Sequence, residues 1–81
     1  MIKFSKHAID VMQKREIIKE WVKTTVISAD MEIIISAQER HYFKVIEEAD
    51  SRCLKVVLNP QTSNVITTYF DRNMRKKGCG K

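Results

Sequence analysis

The 81 residues include only two glycines, one proline and two cysteines. Both glycines, Gly78 and Gly80, lie in the tail, so the chain has no glycine loop to cradle a phosphate. Pro60 is the single proline, and elements must announce themselves by periodicity rather than by breakers. No serine–histidine–aspartate order is present. Glu47 and Glu48 are neighbours whose side chains point opposite ways on an extended chain, so they do not form an acid–base pair. These absences set aside hydrolase, kinase and glycosidase chemistry. No apolar run approaches the ~18 residues of a membrane span. No signal-peptide apolar region follows the opening Met1–Ser5, which predicts a cytoplasmic protein with no membrane partner. Cys53 sits in an apolar stretch and reads as a small hydrophobe. Cys79 lies between the two glycines, and a reducing cytoplasm predicts no disulfide between them. Neither cysteine has a ligand neighbour at metal-binding spacing, so the expectation is no metal and no cofactor.

What is there is an ordinary globular composition, 43% hydrophobic and 31% charged, with a net charge of +5. Eighty-one residues make one domain with a modest core. The charge is polarised. Residues 71–81 hold five Lys/Arg against one Asp, whereas residues 1–70 hold ten against nine. A positive end of this kind favours an anionic partner, RNA or the ribosome first. The expected organisation is a single compact α+β domain over residues 1–74 and a basic flexible tail over 75–81.

Ser5 is a good N-cap for a first helix, Lys6 to Arg15, in which Ala8, Val11, Met12 and Arg15 share a face. A break at Glu16–Ile17 leads to a second helix, where Ile18, Trp21, Val22, Thr25, Val26 and Ala29 recur with helical period. Trp21 is then a core anchor. Residues 30–40 fit a short strand, a helix extension or a loop, with Ile33, Ile34 and Ile35 favouring the strand. Beyond them the pattern is β: 41–47, then 52–59, then 65–70, with turns at 48–51 and 59–64. Leu54, Val56 and Leu58 alternate with Cys53 and Val57, a strand buried on both faces. The expected fold is two N-terminal helices packed on one face of a three- to four-stranded antiparallel sheet.

The start FSKHAIDVMQKREI and the end RCLKVVLN…NVITTYFDRNMRKK carry a family resemblance. The start looks like the His-Ala-x-x-Arg-x-x-x-Arg-Gly-Ile opening of a small bacterial family of domains of unknown function. The end is similar to that family's Leu-Arg-Val-Val…Val-Val-Thr-x-Tyr-Phe-Asp-Arg close. His7 matches the histidine and Arg15 the second arginine. Val11 stands where the first arginine is usual, and Glu16 where glycine is usual. Thr67, Tyr69, Asp71 and Arg72 match the close. The family resembles RelE-like and related microbial ribonuclease toxins. The resemblance implies a RelE-like fold and metal-independent cleavage of RNA, with an antitoxin as a further partner.

Cleaving RNA without a metal needs a base for the 2′-hydroxyl proton, a cation for the charge growing on the phosphate, and an acid for the leaving oxygen. His7 and His41 suit the proton transfers because histidine titrates near neutrality. Arg15 and Arg72 suit the phosphate because a guanidinium fork matches its oxygens. Tyr69 and Thr67 alternate on one face of the last strand, where a tyrosine stacks a base or donates to phosphate. Arg75, Lys76 and Lys77 suit the RNA backbone. Each residue also has a structural reading: a helix-start or strand-end histidine, an ion-paired arginine, cross-strand packing, a solvated tail. Three functions therefore compete: a toxin-type ribonuclease, a non-catalytic RNA- or ribosome-binding module, and a protein-interaction domain that pairs with an antitoxin or a second copy of itself.

Overall fold

The computed structural model describes residues 2–73. The element order is β1 (Lys3–Phe4), α1 (Lys6–Arg15), α2 (Lys19–Ile27), β2 (Met31–Ser36), β3 (Glu39–Ile46), a 3-10 turn (Glu47–Ala49), β4 (Arg52–Asn59) and β5 (Asn64–Phe70). This is an α+β fold with both helices and one mixed sheet in the order β1-β5-β4-β3-β2.

The sheet corrects the expected strand count and direction. It has five strands, and β1 pairs parallel with β5 through Lys3 opposite Asn64 and Phe4 opposite Val65. Two residues cannot display a period-2 pattern, so this strand leaves no signal in the sequence. The other pairings are antiparallel.

Helix α1 starts where Ser5 caps it. The Ala8 N–H donates to Ser5 Oγ at 3.0 Å, and the same hydroxyl donates to the Ile66 carbonyl at 3.0 Å. The cap therefore also fastens the helix to β5. The helix stops at Glu16, which adopts left-handed φ 57° and ψ 39°. The Ile17 N–H reaches back to the Met12 carbonyl at 2.8 Å, and both side chains are buried in the core. This is a left-handed helix stop sealed by an apolar contact. The inward stripe of α2 is as expected at Trp21, Val22, Thr25, Val26 and Ala29, and only its first position is corrected. Ile17 takes the inward position, while Ile18 becomes the exposed N-cap.

The main core lies between the helices and one sheet face. Ala8, Met12, Ile17 and Val22 meet Tyr42, Ile46, Leu54, Val56, Leu58 and Val65. Trp21 is half-buried, edge-on to Phe70 with ring centroids 6.4 Å apart. The Arg52 guanidinium lies over the Phe70 ring, 4.0 Å from its centroid. In β4, Cys53, Leu54, Val56, Val57 and Leu58 are all buried, which bears out a strand covered on both faces. Phe43 and Cys53 form a second, smaller cluster on the face away from the helices. Cys53 is disulfide-bonded, which corrects the expectation of a reduced thiol. That expectation follows from redox compartment alone and takes no account of chain geometry. Cys79 lies outside the described residues.

Candidate functional site

Strand parity decides which polar groups meet. Even-numbered residues of β3 and β4 face the helices. Odd-numbered residues therefore face away. Pairing register then sets two rows across this second face. One runs Ile33, His41, Val57, Thr67; the other runs Met31, Phe43, Lys55, Tyr69.

A connected array crosses these rows. The carboxylate of Glu39 and Nε2 of His41 are 2.7 Å apart. A carboxylate only accepts, so Nε2 carries the proton in this pair, and in the neutral imidazole Nδ1 is then the acceptor. The His41 side chain is 16% exposed and sits edge-on to Phe43, with ring centroids 6.4 Å apart. Lys55 Nζ lies 5.8 Å from the centroid of Phe43 and 5.2 Å from that of Tyr69. The ammonium donates to Tyr69 Oη at 2.9 Å. Glu39, His41, Phe43, Lys55 and Tyr69 thus form one chain of contacts. It begins with an acid–imidazole pair and ends with a cation–phenol pair. Ordinary strand spacing and rise put His41 and Tyr69 about 12 Å apart between Cα atoms.

Thr67 shares the face with Tyr69, beyond Val57 in the neighbouring row, as its alternation predicts. The other expected site residues do not join this array. His7 and Arg15 are exposed on α1, in the helix layer. Among the described residues neither takes part in an ion pair, and no hydrogen bond links either to His41, Thr67 or Tyr69. Helical phase gives the angle between His7 and Arg15 but not the layer they occupy. Arg72 is exposed just past β5. Arg75, Lys76 and Lys77 lie outside the described residues.

Two members of the array, Glu39 and Lys55, are not among the residues that the sequence pattern points to. Lys55 carried a signal, a lone cation inside the apolar run of β4. Glu39 had none until the β3 register placed it two residues before His41 on the same face.

A cavity of about 600 Å³ opens on the helix side, between α2 and the end of β3. Its walls include Glu20, Asp30, Glu47 and Glu48, with Lys44 held to Asp30 at 3.7 Å. Four carboxylates repel phosphate, so this cavity does not suit a nucleic acid. Among the described residues no cluster of three or more histidine, cysteine or acidic side chains is placed to hold a metal ion. None of the described helices is long and apolar enough to cross a membrane.

Comparison with the curated proteins and with the solved structures finds no match. The family model described as Domain of unknown function (DUF4258) matches residues 4–70, from the strand before the Ser5 cap to the last residue of β5, and the chain belongs to that family.

Proposed function

We propose that the domain acts on RNA as a metal-independent endoribonuclease of the toxin type, related to the RelE-like enzymes, with the second sheet face as its working surface. The observation that carries this reading is the array from Glu39–His41 to Lys55–Tyr69. Glu39 orients His41 so that Nδ1 is the acceptor that takes the 2′-hydroxyl proton. The freed oxygen attacks phosphorus to close a 2′,3′-cyclic phosphate, and the bond to the 5′-oxygen breaks as that oxygen takes a proton from water. Lys55 offsets charge on the phosphate, and Tyr69 donates to it or stacks a base. The net charge of +5 supports a polyanionic substrate. Arg72, just past β5, acts in this reading as a contact to the RNA backbone, while His7 and Arg15, in the helix layer, take no part in the chemistry on this face.

One observation favours the second reading, a non-catalytic RNA- or ribosome-binding module. A spacing of about 12 Å between His41 and Tyr69 is long for two groups that share one phosphate. Binding needs no such closeness.

The test is cleavage of RNA, free and on ribosomes, by purified protein in excess EDTA, beside the variants His41→Ala, Tyr69→Phe and His7→Ala. The expected result is cleavage that falls about 100-fold or more in His41→Ala and is nearly retained in His7→Ala. Cleavage that survives both His41→Ala and Tyr69→Phe refutes this site. Salt-sensitive binding without cleavage establishes the binding module instead.

A further inference from the structure

The sheet ends differently at its two edges. Strand β1 is two residues long and offers little backbone to a partner. Strand β2, the other edge, is six residues long, the ordinary length of a full strand. Ile33, Ile34 and Ile35 follow one another along it and are 38%, 66% and 52% exposed. Natural edges are usually blunted by lysine, proline, inward charge or extreme shortness. Among these devices β2 has only a bulge between Ile34 and Ser36. Its single charge, Glu32, is already neutralised by Arg40 at 3.2 Å.

We infer that β2 is a self-association edge, and that its occupant is the β2 strand of a second copy of this chain. Two arguments select a second copy. The segment Glu32-Ile33-Ile34-Ile35-Ser36 is nearly symmetric about its centre. Antiparallel pairing about a two-fold axis at Ile34 sets Ile34 against itself, Ile33 against Ile35, and Glu32 against Ser36. Isoleucine covers isoleucine at three positions, and no charge faces a like charge. The second argument is electrostatic. Copies carrying +5 repel one another, so contact is easiest where the surface is locally neutral, and the Glu32–Arg40 pair makes this edge neutral. The bulge adds twist and shortens the regular ladder, so the dimer is a weak one that forms at high micromolar concentration. Pairing of this kind joins two five-stranded sheets, with all helices on one side and both His41–Tyr69 arrays on the other.

The experiment is sedimentation equilibrium of the full chain from about 10 µM to 1 mM, at low and high salt. The expected result is a rise from 9.5 kDa toward twice that mass, stronger at high salt because screening relieves the repulsion. Ile34→Lys should hold the chain at monomer mass with unchanged circular dichroism. Ile35→Lys serves the same purpose if Ile34→Lys does not fold. Ile27→Lys, on the exposed side of α2, should leave the dimer intact. A chain that stays monomeric throughout overturns the inference. So does a dimer that survives both β2 lysines, one that Ile27→Lys abolishes, or one that salt dissociates. The RNA assay is separate, since nucleic-acid binding weakens with salt where this association strengthens.

Discussion

Replacing Ser5 by alanine removes two links with one atom. The hydroxyl accepts from the Ala8 N–H and donates to the Ile66 carbonyl, each at 3.0 Å. Loss of an N-cap costs about 1 kcal/mol. The bond to Ile66 is solvent-exposed, so water replaces part of it, and its loss adds about 0.5 kcal/mol. The sum is about 1.5 kcal/mol, from a total stability of about 4–12 kcal/mol for a chain this size. At roughly 4–8 °C per kcal/mol, the melting temperature falls by about 6–12 °C. Urea and thermal unfolding followed by far-UV circular dichroism would read this directly, with an unchanged m-value. Ser5→Asp separates the two links. It keeps an acceptor for Ala8 but has no proton for Ile66, so it should fall between the natural chain and Ser5→Ala. A Ser5→Ala variant within about 0.3 kcal/mol of the natural chain would falsify the double role of this side chain.

Glu16→Gly should stabilise the domain by about 0.5–1 kcal/mol, because Glu16 holds a left-handed conformation at the helix stop that glycine adopts without steric cost; a lower urea midpoint would count against this account of the α1 terminus. Leu54→Ala, at a fully buried position in the central strand, should cost about 2–5 kcal/mol and leave a large unfolded fraction at 37 °C, measurable by the same melts. A loss below 1 kcal/mol would mean that the core closes around the cavity.

Where one side of an element is buried and its ends carry local signals, the sequence was read to the residue. Lys6–Arg15 has a serine cap and an apolar stripe, and Arg52–Asn59 has apolar side chains on both faces between polar turns. The segment of β2 fits strand, helix or loop in the sequence because an uncovered edge has no inner side to impose alternation, and Ile33–Ile35 are apolar without a break. The site was harder. Residue type points to Tyr69, Thr67 and His41, and alternation gives the shared face of Tyr69 and Thr67. Their neighbours Lys55 and Glu39 depend on register, which is a property of two strands and is not written in either one. His7 and Arg15 pair with the strand residues by residue type alone, because a linear chain does not say on which side of the sheet a helix will lie.

The parallel pairing of β1 with β5 has a consequence for the order of events during synthesis. Lys3 and Phe4 find their partners only at Asn64 and Val65, and the Ser5 hydroxyl finds its acceptor only at Ile66. Helix α1 is made before its partners on β5 and must therefore wait, undocked, until nearly the whole domain has been translated. Such distant pairing is slow to close and leaves apolar surface uncovered meanwhile. The nascent chain must keep Ala8 and Met12 from other partners until β5 is made, and the hairpin of β4 and β5 completes the platform on which they finally settle.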